Sequence, residues 1–274
     1  MLALQDQELT EIAGYIKEKY GVNLASKKTL VEGRLGFYIS SLGFKTFGDF
    51  FKYAQNDSTG EEITNMVNCL TTNHTYFMRE SDHFEIIFSE VLPWIESLPD
   101  GRDWRIWSAG CASGEEPYGL SVYIKNYFFD RGINNSDYDT TVLASDISEK
   151  VLLAASEGVY ENEKLSAMPP GWISKYFIDL GNGSHKARPE LRQNVAFKKI
   201  NLLDPFTVRK PYHAILCRNV MIYFDSDTRS RLIQKFFDAI IPGGYLFIGH
   251  SESLTYFSHG FKYIKPSVYR KPQE

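Results

Sequence analysis

The chain is poor in the features that mark several large protein classes. Its three cysteines, Cys69, Cys111 and Cys217, lie far apart among 274 residues. That fits neither a disulfide framework nor the paired spacing of a zinc site, and it suits a reducing cytosol. No uninterrupted apolar stretch approaches the roughly 20 residues that a membrane-spanning helix needs. The first residues turn polar by residue 5 without a basic start, so no signal peptide is expected. Positive charge is not in excess: 30 Lys and Arg against 34 Asp and Glu give a net charge of -4, which argues against a general nucleic-acid binder. There are no repeats and no low-complexity tracts. Two phosphate-binding signatures are also missing, the Gly-x-Gly-x-x-Gly fingerprint and the Gly-Lys-Ser/Thr of a P-loop.

What is present can build a core, since 43% of residues are apolar and 15% aromatic. The first ninety residues read as helices. Leu9, Ile12, Ala13, Ile16 and Tyr20 follow the spacing of one buried helical face, stopped by Gly21. Leu30, Val31, Arg34, Leu35, Tyr38, Ile39 and Leu42 form a second stripe, and further helices are expected at 47–54 and around 63–70. This part carries 8 basic against 13 acidic residues, whereas 91–274 carries 22 against 21. From about residue 100, short apolar runs at 104–107, 141–144, 195–200, 214–216 and 245–248 alternate with helical stretches at 116–129, 148–157 and 227–240. That alternation predicts an α/β fold with a parallel, doubly wound sheet. Two short strands, 261–264 and 267–270, are expected to close a hairpin at Pro266. The expected division is a helical N-terminal domain over 1–90 and an α/β domain over 91–274, with a small β subdomain inserted at about 158–194.

The stretch Ser108-Ala-Gly-Cys-Ala-Ser-Gly-Glu-Glu-Pro-Tyr118 follows the first predicted strand. Its glycines let a ligand approach bare backbone beyond the carboxyl end of a strand. The acids at 115 and 116 would repel a phosphate and suit a ligand whose near end is cationic, such as the amino-acid end of S-adenosylmethionine. The competing reading is a capping box between Ser113 and Glu116. Asp146 follows the next strand, where doubly wound folds hold a ribose through its hydroxyls. A helix cap by Asp146 or Ser148 is the alternative there.

Three segments together resemble the CheR family of chemotaxis receptor methyltransferases: Thr71-Thr-Asn-His-Thr-Tyr-Phe-Met-Arg-Glu80, Trp107 through Tyr118, and Cys217-Arg-Asn-Val-Met-Ile-Tyr-Phe224. Asn201-Leu-Leu-Asp204 and Gly243 through Leu254 match as well. The resemblance covers nearly the whole chain. It implies a helical domain on a Rossmann-like S-adenosylmethionine-dependent methyltransferase sheet, in the cytoplasm. It also implies methylation of glutamate side chains on the cytoplasmic helices of methyl-accepting chemoreceptors. By motif position, Asn73, Thr75, Arg79, Glu115, Asp146, Asn201, Leu202, Arg218 and Asn219 line the cofactor site, and Arg79 and Tyr223 lie nearest the methyl group. Glu115 is the residue expected to take the ammonium of the methionine moiety.

A glutamate acceptor is already ionised at neutral pH, its pKa being about 4.3, so no general base is required. None is evident, and no carboxylate cluster for a metal can be assembled. Receptor docking in the family is ascribed to a basic face on an early helix. Here that helix offers Lys27, Lys28 and Arg34 beside Glu32, a modest and salt-sensitive patch. The loop 181–188 is short beside members that grip a C-terminal receptor tether, so activity without a tether is expected. The alternative function is a non-catalytic module that binds S-adenosylmethionine or its demethylated product and signals through the helical domain. A base-methylating enzyme would show Asn/Asp-Pro-Pro-Tyr/Phe where this chain has Cys217-Arg-Asn-Val.

Overall fold

The first four helices among the described residues are α1 (Asp6–Tyr20), α2 (Lys28–Ser41), α3 (Phe47–Asn56) and α4 (Glu61–Leu70). The computed structural model describes residues 2–71, 74–99, 101–205 and 208–273. Helix α1 opens on a capping box between Gln5 and Glu8 and closes at Gly21, whose φ of 72° only glycine adopts freely. Thr46 caps α3 by accepting from the Asp49 N–H at 3.0 Å. The expected apolar stripes are the buried ones: Leu9, Ile12 and Ile16 on α1, then Val31, Leu35 and Ile39 on α2. Leu42, the last residue of the second predicted stripe, is exposed because α2 ends at Ser41.

Ten strands follow among the described residues: β1 (Ile106–Ala109), β2 (Val142–Asp146), β3 (Val159–Glu161), β4 (Phe177–Asp179), β5 (Ser184–Ala187), β6 (Val195–Lys199), β7 (Tyr212–Cys217), β8 (Ile240–Ile248), β9 (Lys262–Lys265) and β10 (Val268–Arg270). Seven of them form one sheet in the order β6-β2-β1-β7-β8-β10-β9. The first five in that order pair in parallel, and β10 and β9 close the edge antiparallel. Helices cover both faces, so the central strands are apolar on both sides rather than alternating with polar residues. Trp107, Ile215 and Leu246 pack with α1–α4 and the helix Ser226–Ala239. Ile106, Ala214 and Phe247 point the other way, toward the helix Glu115–Arg131. The small sheet β3-β5-β4 is antiparallel and lies in the chain between β2 and β6.

The segment before residue 90 contributes to two cores. Phe77, Phe84, Ile87, Val91 and Ile95 belong to the core on the far face of the sheet, whereas α1–α4 build the near face. The helix Ser81–Ile86, its π turn at Ile87–Val91 and the continuation Leu92–Glu96 are therefore part of the sheet's own layer. The division by packing follows Leu70. Among the described residues, no helix is long and apolar enough to cross a membrane.

The helical layer is stitched to the sheet near the carboxyl ends of its strands. Asn23 N–H donates to the Tyr223 carbonyl at 2.8 Å, and Asn201 Nδ2 donates to the Lys19 carbonyl at 2.8 Å. Asp225 caps the helix Ser226–Ala239 by accepting from the Thr228 N–H at 2.9 Å, and it pairs with Lys17 of α1 at 2.8 Å. Lys17 foremost, then Thr228, hold the Asp225 carboxyl well below its ordinary range. A carboxyl depressed on folding stabilises the protein above its unfolded-state pKa and loses that effect as pH falls toward the folded-state value. Asp225→Ala is expected to lower the unfolding free energy by about 1 kcal/mol at neutral pH. The gap to wild type should narrow below about pH 4. Urea unfolding midpoints at pH 7, 5 and 3 check both parts.

Candidate active site

The chain leaves β1 toward β2 and β6 on one side and returns to β7 and β8 on the other. A crevice opens where the order reverses, beyond the carboxyl ends of β1 and β7. The loop after β1 has positive φ at Gly110 (88°), Ala112 (47°) and Gly114 (94°). A Cβ on Gly110 would stand 2.3 Å from Val220 Cγ2, so glycine is what lets the loops after β1 and β7 meet. Gly110 and Cys111 donate their N–H groups to the Ser145 carbonyl at 2.8 and 2.9 Å. Ala112 N–H donates to Asp146 Oδ2 at 2.9 Å, and Ser148 N–H donates to Oδ1 at 3.0 Å.

Asp146 thus ties the glycine loop to the end of β2. The cap of the next helix is Ser148, whose Oγ accepts from the Val151 N–H at 3.3 Å. Asp146 is left to line the crevice. Burial pushes its carboxyl up, against the pull of the backbone N–H groups of Ser148, Ala112 and Ile147.

Arg218, directly after β7, organises the opposite end of the crevice. Its Nη1 donates to Glu116 at 3.0 Å, and Nε and Nη2 both reach Glu80 Oε2 at 3.2 Å. Nη2 also donates to the Arg79 carbonyl. Ser108 Oγ donates to Glu116 at 2.6 Å. Burial pushes the Glu116 carboxyl up while Arg218 and Ser108 pull it down, and burial prevails. At Glu80 burial is again the largest influence and raises the carboxyl. Arg218, the His250 N–H and the Asn219 amide together outweigh it and hold the carboxyl below its usual value. Glu252 accepts from the N–H groups of Gly249 (2.6 Å), Asn219 (3.0 Å) and Ile222 (3.0 Å), which fixes the turn carrying Asn219 to Tyr223.

Between these two ends lies a cavity of about 360 Å³, within the size range of small-molecule sites. One wall comes from the helical layer: Tyr20 and Val22 at the end of α1, Val67 and Thr71, then Thr75, Tyr76 and Arg79. The other comes from the sheet loops, with Gly110 to Ala112, Ile147, Ile200 and Val220. Cys111 is part of it. Burial, then Asp146 and Glu116, raise its thiol far above the ordinary value, so it is protonated and no nucleophile at neutral pH.

Eight of the ten expected site residues line this cavity: Thr75, Arg79, Asp146, Asn201, Leu202, Arg218, Asn219 and Tyr223. Asn73 lies outside the described residues. Glu115 is not among the residues that line the cavity. Its carboxylate is fully buried away from the cavity, where it accepts from Ser113 Oγ (2.7 Å) and pairs with Lys164 of the inserted subdomain. Of the two adjacent glutamates, Glu116 is the one that lines the cavity. Consecutive residues at a helix start point about 100° apart, so the sequence pattern alone does not separate them. The capping box of Ser113 and Glu116 does not form, since the helix opens at Gly114 without a side-chain cap. The α1 wall went unassigned as well, although the α1 stripe ending at Tyr20-Gly21 held a signal for it.

Residues 7–71 match the all-alpha domain of CheR methyltransferases, and residues 73–270 match the SAM binding domain of CheR methyltransferases. The chain is 36% identical over 269 residues to the chemotaxis protein methyltransferase of Borreliella burgdorferi, covering 96% of this chain and 94% of that one. It is 32% identical over 279 aligned positions to chemotaxis protein methyltransferase 2 of Vibrio cholerae, covering 100% and 96%. With the chemotaxis protein methyltransferase of Escherichia coli K12 the identity is 34% over 274 residues, covering 98% and 92%. Two matched domains in this order, spanning nearly all residues around a cavity of this shape, make the chain a member of the CheR methyltransferase family.

Proposed function

We propose that this methyltransferase esterifies glutamate side chains on the cytoplasmic helices of chemoreceptors, with S-adenosylmethionine as donor. The observation that carries the reading is the cavity's polarity. A carboxylate sits at each end, Asp146 and Glu116, and Arg218 stands beside the second. Asp146 suits ribose hydroxyls, while Glu116 suits an ammonium and Arg218 and Arg79 suit a carboxylate. Apolar Val22, Ile147, Ile200 and Leu202 leave a slot for a flat heterocycle. When bound, the cofactor supplies a methyl group on a sulfonium centre, an electrophile that needs no acid.

The chain's own residues then have to orient and desolvate the acceptor. A glutamate is ionised at pH 7, so its oxygen lone pair would form the new O–CH3 bond as the S–CH3 bond breaks, the thioether S-adenosylhomocysteine would leave, and no proton moves. Arg79 donates from Nη1 to the His74 carbonyl at 3.1 Å, which steadies its guanidinium at the cavity. A carboxylate gripped too firmly would be stabilised before the reaction, so Arg79 serves to aim it. Tyr223 lines the cavity with Tyr76 and Ile222, whose side chains are exposed. Its hydroxyl is the group we assign to directing the acceptor. Alignment of this kind can supply roughly 7–11 kcal/mol of a barrier.

The docking face on α2 is less basic than its composition indicates. Lys28 pairs with Asp6 at 2.7 Å, and Arg34 donates to the Leu70 carbonyl at 3.2 Å. Phe37 stands exposed on the same helix. This favours a receptor surface read by shape more than by charge. In the inserted subdomain, β4 and β5 join through a tight turn in which Leu180 N–H donates to the Ser184 carbonyl at 3.0 Å. That turn leaves little loop to wrap a peptide and supports action without a tether.

Calorimetry with S-adenosylmethionine tests the pose. Asp146→Ala and Glu116→Gln should each cost about 1.5–3 kcal/mol, roughly 10- to 100-fold in affinity, and Glu115→Gln should cost less than either. The reverse order would sink the assignment. Transfer of labelled methyl to a receptor cytoplasmic fragment tests the chemistry: an ester releases methanol in mild base, whereas a base-stable product excludes carboxylate methylation. Tyr223→Phe should lower kcat and leave cofactor affinity unchanged. A peptide of the receptor C-terminus should bind more weakly than micromolar, and tighter binding would overturn the tether-free reading.

A further inference from the structure

Three potential ligands that are not among the cavity-lining residues converge at Glu80. Glu80, His83 and His250 each bring one ligating atom to within 4.8 Å of the others. Glu80 and His83 belong to the start of the helix Ser81–Ile86, and His250 follows β8. No sequence spacing announces the group, because 167 residues separate His83 from His250. The His83 ring is wholly buried, yet neither of its nitrogens has a hydrogen-bond partner among the described residues. Buried polar atoms left unpaired are rare in folded proteins and costly, and they call for a partner.

The ring has little freedom to find one by turning. Phe247 packs edge-on against it at 5.4 Å between centroids, and His250 stands nearly perpendicular at 4.9 Å. Its Nδ1 lies 3.7 Å from Glu80 Oε2, too far for a hydrogen bond, and that oxygen also accepts from Arg218, so an ion there would share it with the guanidinium. Asp82 Oδ2 lies 3.1 Å from His250 Nε2 and steadies that ring from outside. The His250 side chain is 45% exposed, so an ion has a path from solvent.

We propose that Glu80, His83 and His250 form a site for a divalent transition-metal ion of the zinc class. Two imidazoles and one carboxylate are the donor set of open zinc sites, in which water completes a tetrahedron. The set has too few oxygens for calcium or magnesium and lacks the thiolates that favour copper(I). Glu80 also holds Arg218, which in turn holds Glu116, so the ion would sit one side chain away from the cofactor cavity.

Metal-free full-length protein titrated with zinc chloride by calorimetry, and with cobalt(II) by visible absorption, tests the site. One ion per chain is expected, at micromolar affinity or better, with the intense visible bands of four-coordinate cobalt. His250→Ala changes a surface side chain and should weaken zinc binding by at least roughly 10-fold and remove the cobalt bands. His185→Ala, on the inserted subdomain, should leave both unchanged. Circular dichroism confirms that each variant is folded. The absence of saturable one-to-one binding, or equal affinity in His250→Ala, would overturn the proposal. So would full binding in a folded His83→Gln variant, since His250 and Asp82 alone would then hold the ion.

Discussion

Arg218 stands at the end of the central strand with 3% of its side chain exposed, and it is shared between Glu80, Glu116 and the Arg79 carbonyl. Three stretches of chain that are remote in sequence meet on that guanidinium: the segment leading out of the helical layer, the helix after the glycine loop, and the turn after β7. A planar fork with five donors can serve several acceptors at fixed angles, which a lysine cannot. Buried ion pairs add little net stability when intact. Removing one partner is another matter and costs roughly 3–5 kcal/mol, because a charge is left buried without compensation. The network therefore specifies geometry more than it adds strength.

Around that anchor the helical layer acts as a wall of the site and not as an appendage. Tyr20 and Val22 reach the cavity because α1 stops at Gly21, and Val22 then bridges to Phe224. Lys17 and Asn201 tie the same end of α1 to loops from the sheet. The sheet supplies the carboxylates and the arginine, whereas the helices supply part of the apolar enclosure. Enclosure raises the strength of every charge–charge contact inside, since water is kept out.

Much of this was legible in the chain. Stripes such as Leu9-Ile12-Ile16 and runs such as 214–216 mark faces that must be buried, and they are. Boundaries were less legible. The run 245–248 reads as the strand, yet β8 begins at Ile240 and holds Pro242-Gly243-Gly244 within it, where a register shift against β7 absorbs the Gly243 backbone. The run 104–107 reads as a strand, but the strand begins at Ile106 because Trp104 and Asp103 pair locally with Asp139 and Gly101. Within the site, eight of the motif residues line one cavity, but motif position does not tell Glu115 from Glu116, which depends on helix phase. Met78 and Glu80 adopt left-handed backbone (φ 61° and 52°) with no glycine to mark it. That turn delivers Glu80 to Arg218, and it is set by tertiary packing.

The buried pair of Glu115 and Lys164 gives the inserted subdomain a second meaning. Lys164 also reaches Ser113 Oγ at 3.3 Å, its carbonyl accepts from the Phe77 N–H, and Tyr160 donates to the Ser113 carbonyl at 2.8 Å. The subdomain is thus a buttress under the glycine loop as well as an outward-facing module. Its exposed turn can drift freely in evolution, while its inner rim is bound to a helix start more than forty residues upstream. Grafting a subdomain from a relative would succeed only if that rim travelled with it. The outer face is interchangeable; the inner one is part of the enzyme's frame.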